Sequence, residues 1–174
     1  ISGGGSALLV APAEGVTLED KQEVTRLLLA CGADIHDINT VRKHLSRAKG
    51  GWLARCAHPA TVVTLILSDV IGDDLNVIGS GPTVPDPSTF ADARGVFKKF
   101  GIWERVPSSV KDRIQKGLKG DIQDTPKLGD VAFQRCYAEL VGTNIQALIA
   151  AGYEADRQGY RALILSSTVE GEAR

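Results

Sequence analysis

The sequence predicts an α/β domain with a mainly parallel sheet, and three observations carry that expectation. Residues 61–67 are apolar and rich in β-branched side chains, the composition of a strand covered on both faces. Residues 137–141, 144–158 and 161–165 read in turn as strand, helix and strand, one βαβ unit, and so as parallel neighbours. Between these blocks, residues 68–89 follow neither a helical nor a strand period. In open parallel sheets, loops leaving the carboxyl ends of strands are where ligands bind.

The bulk properties set limits. With 174 residues and 43% hydrophobic content, the chain suffices for one globular domain. A net charge of −1 gives no bulk attraction to nucleic acid or to an anionic membrane. No apolar run approaches a membrane span, and no segment reads as a signal peptide. Cys31, Cys56 and Cys136 lack metal-ligand spacing and suit reduced thiols in a cytoplasmic protein. Methionine is absent, and the chain ends at Glu170-Gly171-Glu172-Ala173-Arg174, which reads as a helix start. It is therefore expected to be a piece of a longer protein.

In chain order, Gly3, Gly4, Gly5 and Ser6 form a turn whose backbone N–H groups can face an anion without a Cβ in the way. The run matches neither G-x-x-x-x-G-K-[ST] nor G-x-G-x-x-G. Thr17 with Asp20 makes a capping box for a helix whose stripe is Leu18, Val24, Leu27, Leu28 and Cys31, stopped by Gly32. A second helix is expected from about Asn39, with Ile38, Val41, Leu45, Ala48 and Trp52 as its apolar stripe. Arg42, Lys43, Arg47 and Lys49 would line its other side, with Lys43 and Arg47 one turn apart. Thr89 with Asp92 caps a third helix, ended by Gly101, and Pro107 opens a fourth with Val110 and Ile114 inward. Residues 116–130 read as a surface loop, and Gly142, Thr143 and Asn144 as the turn and cap before the βαβ helix.

The chemistry concentrates where the charge reverses. From Ile38 to Ser68 there are five Lys and Arg residues and no acid; from Asp69 to Ala93 there are five aspartates and no Lys or Arg. Adjacent cations and carboxylates suit a metal–phosphate ligand, since cations hold phosphate oxygens and carboxylates hold Mg²⁺. A solvated basic face balancing an acidic loop explains the same pattern. Asp69, at a strand's carboxyl end, is the first candidate for a base or a metal ligand, with Asp73 and Asp74 next. Lys43 is a candidate catalytic residue. Gly3 to Ser6, Lys49, Ser80, Gly81 and Thr83 are candidates for phosphate or substrate binding. His36, His44 and His58 have no nucleophile beside them and G-x-S-x-G is absent, so all three are expected to be structural. Aromatic residues are 5% of the chain, with none among the basic residues, so there is no stacking platform for nucleic acid.

The segments ISGGGSALL, NTVRKHLSRAKGG, LSDVIGDDLNVIGSGPTVPDPST, LVGTN and EGEAR resemble the class II glycerate kinases. These are glycerate 2-kinases with a C-terminal MOFRL domain, some of them described as hydroxypyruvate reductases. The resemblance runs through essentially the whole chain. It implies a Rossmann-like three-layer domain, present here only in part, and ATP-dependent, Mg²⁺-assisted phosphorylation of D-glycerate to 2-phosphoglycerate in the cytoplasm. It also implies an upstream Gly-Lys-Ala segment and a downstream domain with Gly-Gly-Arg-Asn, which would form the other wall of the cleft. Two alternatives stand beside it: an oxidoreductase acting on hydroxypyruvate, and a non-catalytic module that binds a small anion.

Overall fold

A computed structural model describes residues 1–2 and 4–169. Gly3 and the expected helix start at 170–174 lie outside the described residues. Among the described residues seven α-helices and two strands follow one another: α1 (Gly5–Leu8), α2 (Leu18–Ala30), α3 (Ile35–His44), α4 (Trp52–Ala57), β1 (Val62–Leu67), α5 (Phe90–Lys99), α6 (Ser108–Lys119), β2 (Cys136–Gly142) and α7 (Asn144–Arg157).

Local rules place most helix ends. Thr17, Thr89 and Thr143 each accept a bond from the third residue of the helix they open. The third residue's side chain returns the bond, so three reciprocal boxes satisfy amide groups that the helix leaves free. Gly32, Gly101 and Gly159 take positive φ just beyond α2, α5 and α7, where a Cβ would be strained. The core lies between α2, α3, α5 and α6. Val24, Leu28, Val41, Leu45, Phe97, Val110 and Ile114 are among its most buried members.

The sheet is parallel, as expected: β1 and β2 pair in register from Val62 opposite Cys136 to Ile66 opposite Leu140, with an irregularity before Leu67. On the other side of β1, the Ile1 amino group donates to Leu65 O at 2.8 Å and Leu67 N donates to Ile1 O at 2.9 Å. One residue bonding to partners two apart is the parallel pattern. Three chain segments therefore leave the sheet at one edge: the glycine turn after Ile1, the loop after Leu67, and the start of α7.

Four expectations need correction. The stripe from Ile38 to Trp52 is not one helix: α3 begins earlier, capped by Asp34, and stops at His44. Ser46 then pairs with Pro12 in an isolated antiparallel bridge, and Gly50 and Gly51 take positive φ before α4 starts. Arg47 and Lys49 thus stand on a turn and Lys43 on a helix, so no helical face unites them. β1 is covered on one face only, with Thr64 and Ile66 buried and Val63, Leu65 and Leu67 exposed. Residues 116–130 are not simply a surface loop. α6 occupies the first of them, Thr125 and Pro126 are buried, and Asp124 reaches His44. Residues 161–165 carry strand composition but join no ladder among the described residues.

Candidate functional site

At the carboxyl edge of the strands, one polar relay ties three distant segments together. Lys49 Nζ donates to Ser6 O at 2.7 Å and to Ser6 Oγ at 3.0 Å. Ser6 Oγ lies 2.9 Å from Ser80 Oγ, and Ser80 Oγ donates to Asn39 Oδ1 at 2.8 Å. Lysine can only donate and an amide oxygen can only accept, so the direction is fixed. Lys49 gives to Ser6, Ser6 gives to Ser80 and Ser80 gives to Asn39.

Ser80 is the keystone. It is fully buried and its φ of 63° lies in the left-handed region, unfavourable for a residue with a Cβ. The hydroxyl bonds and the bond from Gly50 N to Ser80 O, 2.9 Å, hold it there. Such over-determined strain is a feature of functional loops. Gly81, also at positive φ, accepts from Gly51 N at 2.7 Å, and Thr83 Oγ1 meets Thr64 Oγ1 at 2.9 Å, fastening the loop to β1. Gly4 takes φ 75° as it opens the turn into α1, and Gly5 and Ser6 follow.

Beside the relay lies a pocket of about 380 Å³ between α1, α2 and the turn after α3. Lys21, Arg26, Arg42 and Lys49 line it, with Ser6 at the rim, and none of its lining residues is acidic. Burial, and then the Arg42 charge, push the Lys21 ammonium down to about 8. Burial, and then Lys21 and Arg42, push Lys49 down to about 8 as well. Arg26 is exposed and paired with Glu23 at 2.6 Å, which leaves Lys21, Arg42 and Lys49 as three cations that share one space without a carboxylate.

Lys43 is elsewhere. Its Nζ sits 3.1 Å from Asp86 Oδ1, both side chains being almost wholly buried. Burial raises the Asp86 carboxyl, but the Lys43 charge and bonds from Ser88 outweigh that and hold it below the ordinary carboxylate value. His44 is buried too, with Nδ1 2.7 Å from Thr40 O and Nε2 2.9 Å from Asp124 Oδ1, a structural histidine. Of the acidic loop, Asp69 is exposed two residues past the end of β1, while Asp73 is half-buried with φ 53°. Asp74 accepts from Asn76 N at 2.8 Å and so is engaged in its own turn. Among the described residues no three His, Cys, Asp or Glu side chains cluster as a metal site.

The structure therefore brings Ser6, Lys49 and Ser80, three of the candidate phosphate-binding residues, together and leaves Lys43 on a separate buried pair. Sequence reading passed over Lys21, Asn39 and Asp86. For Lys21 a signal existed: it precedes Val24 and Leu28 by three and seven residues, on the apolar stripe of α2. Asn39 likewise sits beside Ile38 on the buried side of α3. Asp86, between two prolines, carried no signal of burial.

The family described as a domain of unknown function, DUF4147, matches residues 1–115. All 174 residues align with a glycerate 2-kinase of Pyrococcus horikoshii at 48% identity, over 39% of that protein. They align with a putative hydroxypyruvate reductase of Agrobacterium vitis at 50% identity, over 37% of it. The crystal structure of a glycerate kinase from Thermotoga maritima superposes on 95% of the chain with a TM-score of 0.78 at 45% identity, covering 37% of that protein. The chain thus spans under two fifths of the length of these two relatives. With similarity at this level along its whole length, the chain belongs to the DUF4147 family, and the resemblance to glycerate kinases read from its motifs holds.

Proposed function

We propose that this chain is part of the N-terminal domain of a cytoplasmic glycerate kinase, one that transfers the γ-phosphoryl group of ATP to a hydroxyl of D-glycerate and yields 2-phosphoglycerate. The observation that carries the reading is the relay that ties the glycine turn to the loop after β1, a loop that also carries the exposed Asp69, beside a cation-lined pocket. Phosphoryl transfer asks for those parts: donors for phosphate oxygens, a carboxylate and fixed positions for both reactants. A Rossmann-like three-layer arrangement, completed by the remainder of a longer protein, fits the parallel pair with helices around it. The C-terminal domain of that protein would form the facing wall of the cleft.

Each residue has a task within this reading. The relay from Lys49 through Ser6 and Ser80 to Asn39 locks the glycine turn against the loop after β1. Lys49 and Arg42 supply positive charge where phosphate charge develops. Asp69, unshielded beyond β1, either takes the proton of the attacking hydroxyl or holds Mg²⁺. Mg²⁺ commonly rests on one or two carboxylates plus phosphate oxygens, and Asp69 and Asp73, carboxylates of one loop, are the donors that this reading assigns. Bound there, the ion would neutralise phosphate charge. Lys43, expected among the catalytic groups, holds the Pro85-Asp86-Pro87 end of the loop through its ion pair and thereby sets the loop's path.

The test is a coupled assay on the longer protein that contains this chain. ADP release dependent on D-glycerate is the expected result. NADH consumption with hydroxypyruvate, with no ADP formed, would overturn the kinase reading in favour of the activity in the Agrobacterium vitis relative's name.

A further inference from the structure

One buried charge has no partner in the arrangement above: the Lys21 ammonium. Lys21 lies on the core-facing side of α2 and is only 9% exposed, and its Nζ is sealed from solvent without an acceptor. An unpaired buried charge is costly, and folded proteins retain one mainly where something pairs with it. The same pocket is lined by Arg42 and Lys49, also partly or wholly buried, and by no carboxylate.

We propose that this pocket is a phosphate site, in which Lys21, Arg42 and Lys49 together hold the phosphoryl oxygens of a phosphorylated small molecule.

Charge decides between the anions available. A carboxylate brings one negative charge and would leave two of the three cations facing each other unneutralised. A phosphate ester brings about two, and a nucleotide tail more. Leu18 and Leu29, both exposed, form the apolar part of the wall, and the burial of Lys21 and Lys49 strengthens the charge-assisted bonds they can offer. The flexible lysine stem lets the ammonium swing to an anion, and Arg42 can offer two parallel N–H groups. Because Lys49 also binds Ser6, an anion seated here is joined through one side chain to the relay and the glycine turn. Two sources of such phosphate, the nucleotide tail and phosphorylated glycerate, rest on the kinase reading; the phosphate site does not.

The test is calorimetric titration of the 174-residue chain, at matched ionic strength, with tripolyphosphate, metal-free ATP, 2-phosphoglycerate and D-glycerate. At least one phosphate probe should bind, and D-glycerate should bind more weakly than it. Lys21→Met keeps the stem and removes the charge. It should weaken the phosphate probe roughly tenfold or more, the scale of one charge-assisted bond. The variant's melting temperature without ligand should not fall, since the lost charge had no partner. Binding to the unaltered chain should also fade as pH rises through about 8, where Lys21 and Lys49 lose their protons while the facing Arg26 and Arg42 stay charged. Whichever of ATP and 2-phosphoglycerate displaces tripolyphosphate identifies the source. Three results would overturn the site: no phosphate probe binding the cooperatively melting chain, binding untouched by Lys21→Met, or D-glycerate binding more tightly than every phosphate. Phosphate binding without ADP release in the longer protein would sink the kinase reading and leave the site standing. Normal ADP release from a Lys21→Met enzyme that binds tripolyphosphate fully would do the reverse.

Discussion

Asp69 is the residue on which the proposed chemistry turns. Asn keeps its shape and one acceptor oxygen but removes charge and basicity. If the carboxylate is the general base, Asp69→Asn in the longer protein should cost about 10²–10⁴-fold in kcat, with nucleotide affinity nearly intact. If it holds Mg²⁺, the metal concentration for half activity should rise and excess metal should restore part of the rate. Turnover measured across a Mg²⁺ series separates the two, and wild-type behaviour at every level removes Asp69 from the site. The Lys43–Asp86 pair asks a different question. Both side chains are buried, so removing one leaves an uncompensated charge, which costs about 3–5 kcal/mol. We expect that loss for Lys43→Ala in urea unfolding, and a much smaller one for the double change Lys43→Met with Asp86→Leu. Equal losses in the single and double variants would show that the ion pair is not what the loop depends on.

At the scale of elements, α6 carries a glycine in its interior that helix propensity disfavours. Replacing such a glycine with alanine ordinarily gains up to about 1 kcal/mol. Here a Cβ on Gly117 would run into the Phe90 ring at the start of α5, which is itself buried in the core. Overpacking of that kind costs about 1–3 kcal/mol. Gly117→Ala should therefore destabilise the protein, the sign opposite to propensity, and a melting temperature at or above that of the unaltered chain would disprove the close approach. The second element with a clear constraint is α5. Its box between Thr89 and Asp92 satisfies two amide groups, so Thr89→Ala should lose about 1 kcal/mol.

For the whole molecule, buried charges shape the dependence of stability on pH. Asp86 and Asp124 have folded values below the ordinary carboxyl value of 3.8. Their contribution is fully present above the unfolded value and is lost as pH falls through it toward the folded one. Lys21 and Lys49 act with the opposite slope. Their folded values near 8 lie below the ordinary 10.5, so between these limits the unfolded chain binds more protons and stability rises with pH. Thermal melts from pH 3 to 10 should show an acid fall and an alkaline rise, the rise absent in a Lys21→Met, Lys49→Met variant. Alkaline stability unchanged by those two substitutions would contradict it. The sheet's open face gives a further expectation. Val63, Leu65, Leu67, Tyr137 and Val141 are all exposed on the strand pair. Apolar surface of this kind promotes association. The 174-residue chain should self-associate in sedimentation and show no turnover with ATP and glycerate; a monodisperse, active chain would count against the proposed domain assignment.

The sequence by itself determined whatever depends on neighbours a few residues apart. The capping boxes at Thr17 and Thr89, the glycine stops and the places of the two strands were legible, because a helix end or a strand is specified within one or two turns of chain, whereas the partner expected for residues 137–141 was the wrong one. Only tertiary structure decided which charges are buried and what they meet. The relay joins Ser6 to Ser80 across 74 residues, Asn39 to Ser80 across 41, and His44 reaches Asp124 across 80. No local period records such pairings. The same limit explains the misread basic segment: spacings of three and four continue past His44, but a bridge from Ser46 to Pro12 ends the helix. For residues 161–165, composition gives a tendency to extend, while a strand exists only where a neighbour supplies the ladder. Lys21 shows the difference most sharply. Its place on an apolar stripe was visible in the sequence, but its isolation from every acceptor follows from how α2 packs against α1 and the turn after α3.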